Sequence, residues 1–200
     1  ISNEVIDQVE KKIFNNLEQD SILVISGSAP PLVPKDIYRK WIEKAKKRGV
    51  KTILDADGDL LREGIKGGPY LIKPNIDEME RLINKKINSI EEAIEEGKKL
   101  LDYGIHMIVI SLGKEGSLFI TKEKTIRAKG IEVHAKSTVG AGDSMIGAIA
   151  LSLDNNYELE EMVRLAVATA TAKVMTEGTQ CGNVEDINKF KKQVRLEYYK

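Results

Sequence analysis

The sequence predicts an α/β fold: a mostly parallel sheet with helices on both faces and one short β-hairpin. Three observations carry that expectation. Short β-branched runs alternate with amphipathic helical stretches along almost the whole chain. The strand-like runs are continuously apolar, as in strands buried on both faces. And 200 residues with 42% hydrophobic content are enough to bury a real core.

Taken in order, Val5, Val9, Ile13 and Leu17 recur every four residues, so the chain opens in an amphipathic helix. It begins Ile1-Ser2-Asn3, with no initiator Met and no signal-peptide character, as expected of a piece cut from something longer. Ser21–Ser26 is a strand that halts at Gly27-Ser28-Ala29-Pro30-Pro31. Lys35–Arg48 has helical spacing through Ile37, Trp41 and Ala45, and Gly49 closes it. Lys51–Asp55 is the next strand, ending in the acidic turn Asp55-Ala56-Asp57-Gly58. A short helix over Leu60–Ile65 leads to a strand over Tyr70–Lys73, and Pro74-Asn75 breaks it before a helix over Ile76–Ile83. Ser89–Tyr103 is helical, with Ser89 and Glu92 at capping-box spacing. His106–Ser111 is a buried strand; Ser117–Thr121 and Thr125–Ala128 form a hairpin around Lys122-Glu123-Lys124. Helices follow over Asp143–Leu153, Leu159–Met175 and, last, Val184–Tyr198. No repeat, low-complexity tract or linker interrupts the pattern, which reads as part of a single α/β domain.

Composition excludes several functions. Lys+Arg and Asp+Glu both number 31, so there is no global basic field to hold nucleic acid or an anionic membrane. No apolar run approaches the roughly 20 residues of a membrane span. The single cysteine, Cys181, rules out an internal disulfide framework and a cysteine zinc cluster, and fits a reducing cytoplasm. Only 5% aromatic residues is poor material for a sugar-stacking lectin or an RNA platform.

In parallel sheets, ligands sit beyond the carboxyl ends of the strands. The loops there hold the polar residues of interest. In Ser137-Thr138-Val139-Gly140-Ala141-Gly142-Asp143-Ser144-Met145, two glycines let backbone amides converge just where a helix begins, which makes an anion site. Asp143 there either caps its helix or takes a proton from an attacking hydroxyl. A dinucleotide fingerprint fails, because Met145 stands where the third glycine is needed; Walker loops fail because Gly113-Lys114 precedes Glu115 and Gly97-Lys98 precedes Lys99. In Lys73-Pro74-Asn75-Ile76-Asp77-Glu78, Asn75 and Glu78 share one helical face, either as a cap with a surface acid or as holders of the water shell of Mg2+. Asp55 and Asp57 serve Mg2+ or shape a turn. Ser111-Leu112-Gly113-Lys114-Glu115-Gly116 admits a nucleotide or is a plain turn. The Leu159, Met162, Val163, Ala166, Ala170 stripe is core packing, though the small residues of 166–172 suit a flat base.

In this order the motifs resemble those of the ribokinase-like carbohydrate kinases, in the phosphofructokinase-B branch. Ser137–Met145 with Ile146-Gly147-Ala148 looks like the family's C-terminal signature, and the Ser26–Pro31, Lys73–Glu78 and Ser111–Gly116 loops support it. The resemblance runs from about Ser21 to the C-terminus and covers the nucleotide-binding part of the kinase domain. By that resemblance, the family's N-terminal sugar-binding and lid part is expected to lie outside these 200 residues. It implies Asp143 as catalytic base, with Gly140, Ala141 and Gly142 as the anion hole. It implies Lys73 and Asn75 at the phosphates and Asn75 and Glu78 holding Mg2+ through water. Ser111, Gly113 and Gly116 would line ATP, with Val167 and Thr171 beside adenine, and Ser28 would touch the sugar phosphate. Some relatives bind K+; Ser137 and Val139 match that loop, whereas Lys173, Thr176 and Gln180 are unfamiliar partners for it. Where many relatives have Asp-x-Ser-Gly, this chain has Asp55-Ala56-Asp57-Gly58. The implied function is ATP-dependent phosphorylation of a sugar phosphate, fructose 1-phosphate first and tagatose 6-phosphate or fructose 6-phosphate next. The implied assembly is a cytoplasmic homodimer without nucleic-acid or membrane partners. A non-catalytic nucleotide- or sugar-phosphate-sensing module is the alternative of another class.

Overall fold

The computed structural model describes residues 2–199, so Ile1 and Lys200 of the expected domain lie outside the described residues. The chain divides into two compact units, one up to Ile108 and one from Val109 onward, and the division falls inside a single strand.

The first unit is built on parallel pairing. After α1 (Asn3–Asn15) come β1 (Ile22–Ser26), β2 (Lys51–Asp55), β3 (Leu71–Ile72) and the start of β4 (Met107–Ser111). Ile22 pairs with Lys51, Ser26 with Asp55, Ile53 with Leu71, and Leu71 with Met107, every ladder parallel. The crossovers are α2 (Ile37–Lys46), α3 (Gly58–Gly64) with a 3-10 turn, then α4 (Ile76–Ile83) and α5 (Ile90–Leu100). Ile53, Leu54, Leu71 and Ile72 are wholly buried, which is why these strands read as unbroken apolar runs. The opening helix is held by Phe14, which packs on Ala45 and Val50 within a rim of Ile13, Leu17, Leu23 and Trp41. Burying that ring contributes roughly 1.5–3 kcal/mol. Glu10 also accepts the Trp41 indole N–H at 3.0 Å and pairs with Lys44.

The second unit pairs antiparallel. β5 (Gly116–Ile120) and β6 (Thr125–Lys129) form the expected hairpin, closed where the Thr121 hydroxyl accepts the Lys124 N–H at 3.0 Å. Three helices accompany it: α6 (Ala141–Asp154), α7 (Leu159–Val174) and α8 (Val184–Lys191). Met162, Val163 and Ala166 of α7 are buried, as core packing requires. Among the described residues no helix is long and apolar enough to cross a membrane.

Two expectations are corrected. The final helix does not run to Tyr198: α8 stops at Lys191, and Leu196–Tyr199 forms β7, antiparallel to β6. Buried Phe190 and Val194 anchor the turn between them, and Glu197 answers two cations on β6, Lys129 at 2.6 Å and Arg127 at 3.8 Å. Cross-strand pairing therefore overrides the helical look of the charged run. The Ser89 capping box is only half formed. Ser89 accepts the Glu92 N–H, but the Glu92 carboxylate turns to the Asn88 N–H at 2.7 Å.

The hairpin rests on a close approach of two backbones. Gly116 has φ +102°, and a Cβ there would lie 1.9 Å from the Ala128 carbonyl oxygen. Gly116→Ala should cost on the order of 3 kcal/mol or more, through strain plus a displaced strand. Gly113→Ala, with open space around it, should cost about 1 kcal/mol. Urea unfolding of the full-length variants checks the order; equal losses would contradict it.

Candidate active site

The carboxyl edge of the first unit holds a charged cluster. Lys73 follows β3 directly, and its N–H donates to the Leu54 carbonyl at 3.2 Å, extending the parallel ladder. Its ammonium lies 3.2 Å from Asp55, with side chains only 8% and 18% exposed. Buried Pro74 turns the chain into α4, where Asn75 and Glu78 form a complete capping box. Asn75 Oδ1 accepts the Glu78 N–H and Glu78 Oε2 accepts the Asn75 N–H, both at 2.9 Å. Burial pushes the Glu78 carboxyl above its ordinary pKa, against the Asn75 amide and Lys73, which pull it down. Asp57 is committed to structure: it accepts the Gly58 N–H at 2.6 Å and binds Arg81 at 2.8 Å. The Arg81 guanidinium holds it below the usual carboxylate range. Ser28 is exposed, one residue after Gly27, whose N–H donates to the Asp55 carbonyl at 2.8 Å.

These residues fit Mg2+ held through water rather than caged directly. Each member of the capping box has one oxygen engaged, so the second Glu78 oxygen remains for a hydrated ion. Among the described residues there is no group of three His, Cys, Asp or Glu side chains able to hold a metal.

The second unit carries the Gly-Ala-Gly-Asp turn. The N–H groups of Lys136 and Ser137 donate to the Val174 carbonyl at 2.7 and 3.2 Å, fixing the loop to the end of α7. Ser137 is half-buried and Val139 exposed. Gly140, at φ +80°, precedes Ala141 as the N-terminal cap residue of α6, and no side chain caps that helix. The Ala141 N–H donates to the Thr138 carbonyl at 3.2 Å. Gly142 and exposed Asp143 complete the first turn, where amides without a side-chain cap suit an anion. Ser111 ends β4, and Gly113 opens a 3-10 turn closed by the Leu112 N–H on the Gly116 carbonyl at 2.9 Å. Gly116 is thus required by the hairpin itself. Val167 and Thr171 are buried on α7, and the Thr171 hydroxyl donates to the Val167 carbonyl at 2.8 Å.

The sequence named Asp55 and Lys73 separately without joining them. Their places at the ends of adjacent parallel strands were the available signal. Arg81 was missed, as was the burial of Lys173, a lone charge in a run of Ala, Thr and Val.

The first unit is a parallel α/β ladder with a charged carboxyl edge, and the second carries an uncapped helix N-terminus of the kind that suits an anion. Residues 2–186 match the pfkB family of carbohydrate kinases, and the chain belongs to that family. It is 38% identical over 188 residues to 1-phosphofructokinase of Borreliella burgdorferi, covering 94% of this chain. It is 31% identical over 191 residues to D-tagatose-1-phosphate kinase of Bacillus licheniformis, covering 94% of this chain and 62% of that protein. Phosphofructokinase-2 of Escherichia coli, solved in complex with potassium, superposes with a TM-score of 0.92 at 34% identity, covering 96% of this chain and 63% of that one. The same enzyme has also been solved in a tetrameric inhibited form. The chain spans about 60% of the length of the curated relatives it matches.

Removing one partner of a buried ion pair strands the other's charge. Asp55→Asn in the full-length protein should therefore lose about 3 kcal/mol, part of it recovered by adding Lys73→Met. Asn75→Ala, which deletes the cap, should lose about 1 kcal/mol. Both are read from urea unfolding; a silent Asp55→Asn would remove the ion pair from the account.

Proposed function

We propose that the full-length protein is an ATP-dependent sugar-phosphate kinase, and that its acceptor is fructose 1-phosphate, giving fructose 1,6-bisphosphate. The observation that carries the reading is the Gly140-Ala141-Gly142-Asp143 turn: a left-handed glycine opens α6 with no side-chain cap, and an exposed carboxylate sits in the same first turn. In this reading the amides at the start of α6 receive the negative charge of the transferring phosphoryl group, with the Ala141 N–H, bonded to the Thr138 carbonyl, bracing the turn. Asp143 takes the proton of the acceptor hydroxyl as its oxygen bonds to phosphorus and the bond from phosphorus to the ADP oxygen breaks. Lys73 offsets phosphate charge, and the Ser111, Gly113 and Gly116 loop takes the nucleotide. Val167 and Thr171 lie beside the base, and Ser28 contacts the sugar phosphate.

Asn75 and Glu78 would hold Mg2+ through its waters, where the ion supplies charge neutralisation for the phosphates. The choice of acceptor rests on the name of the Borreliella burgdorferi relative. Tagatose 6-phosphate and fructose 6-phosphate are the runners-up, and the Bacillus licheniformis relative adds tagatose 1-phosphate. The reading includes a homodimer working in the cytoplasm.

ADP release by the full-length protein with Mg-ATP is expected with one of these sugar phosphates in marked preference. Release with none, while Mg-ATP still binds, would favour the sensing module. Asp143→Asn should lower kcat by about 10²–10⁴-fold with ATP binding nearly unchanged. Gly142→Val should obstruct the amide turn and lower kcat as well; a variant with full rate would discard the anion hole.

A further inference from the structure

Lys173 is among the largest fully buried side chains of the protein, at 1% exposure. A buried ammonium ordinarily finds a carboxylate. This one has none within ion-pair distance among the described residues. Its Nζ instead donates to the Gly178 carbonyl at 2.9 Å and the Thr176 hydroxyl at 3.3 Å. That hydroxyl lies 2.6 Å from the Gln180 carbonyl and 2.8 Å from the Lys173 carbonyl. Its one proton goes to a carbonyl, and a lone pair is left facing the ammonium. Neutral carbonyl and hydroxyl oxygens are the ligand type a hard monovalent cation takes.

The position of this charge matters more than its burial. A Cβ on Gly140 would lie 3.3 Å from Lys173 Cε and 4.0 Å from Asp143 Oδ2, so the lysine stem and the carboxylate flank one point of the turn. The next residue of α7, Val174, receives the amides of Lys136 and Ser137 through its carbonyl. The loop that precedes the turn is thus tied to the same helical turn that carries the lysine.

We infer that the Lys173 ammonium serves as a built-in monovalent cation behind the Ser137–Asp143 turn, positioning its amides and making added K+ unnecessary. This rests on the kinase reading for its effect on rate. The charge itself, fixed to the chain, takes the place of an exchangeable ion. With no carboxylate in direct ion-pair contact and Asp143 across the turn, the ammonium is left to favour a negative group docking there.

The test uses the full-length protein with K+ replaced by tetramethylammonium, an ion too large for such a site. For the wild type, kcat and the melting midpoint should both be flat, within about twofold in rate, as K+ is restored. Lys173→Ala should lower kcat by about tenfold or more, the loss of a charge-assisted contact, and K+ or methylammonium should restore much of it. Lys173→Met fills the space without charge and should stay low whatever cation is added. Wild-type activation by K+, full activity of Lys173→Met, or no cation response in Lys173→Ala would each overturn the inference. The melting arm separates its failure from that of the kinase reading. If no acceptor is turned over, K+ should still raise the midpoint of Lys173→Ala and leave the wild type unmoved. If the alanine variant does not fold, the wild-type K+ titration decides alone.

Discussion

Parallel pairing is the constraint from which the charged edge of the first unit follows. Strands running one way bring all their carboxyl ends to the same side, so Ser26 stands opposite Asp55 and Lys73 comes in beside Leu54. β2 and β3 are buried on both faces, so a polar side chain at their ends is half inside the protein before it meets water. A lone lysine there would be costly. Asp55 neutralises it, and the pairing fixes the direction of a long and otherwise mobile side chain. On the proposed kinase reading, that fixed direction would let Lys73 meet a phosphate without reordering.

Two buried lysines are treated in opposite ways by this chain. Lys73 has a carboxylate at 3.2 Å, which lowers the cost of burial and also cancels much of its field. Lys173 bonds directly only to oxygens without formal charge, at 2.9 and 3.3 Å, which solvate the ammonium without pairing it. The first arrangement suits a group whose direction matters. The second suits one whose charge matters, because a carbonyl cage stabilises a cation much as water does while staying fixed. That difference gives chemical sense to a buried charge in the last turn of α7, after a run of Ala, Thr and Val.

Periodicity made most of the architecture legible. The β2 and α4 boundaries, the hairpin and the two long helices of the second unit follow from apolar spacing and turn residues. Long-range pairing was not legible. β7 reads as helix because Lys191-Lys192-Gln193 continues a charged helical face, whereas its antiparallel ladder to β6, with Glu197 meeting Lys129 and Arg127, makes it a strand. The candidate site divides the same way. The glycine turn could be read from residue type and spacing. The Asp55 pairing, the capture of Asp57 by Arg81 and the burial of Lys173 depend on which neighbours the fold supplies. Gly116 adds a caution about motif glycines: the Ala128 carbonyl would exclude a side chain there whether or not a nucleotide ever approached.

The Asn75–Glu78 box shows why a structural role and a functional role need not compete. Read as a cap, the pair satisfies two backbone donors at the start of α4. Those same bonds fix the rotamer of Glu78 and leave its second oxygen at a defined place. A carboxylate holding a metal through water needs such fixing, since each added layer of solvent multiplies the freedom of the contact. Burial, with Asp55 and Asp57 nearby, raises the Glu78 pKa, and the Asn75 amide and Lys73 only partly oppose that rise. On the proposed kinase reading, the cap that anchors Glu78 also sets its second oxygen where a hydrated cation would meet it.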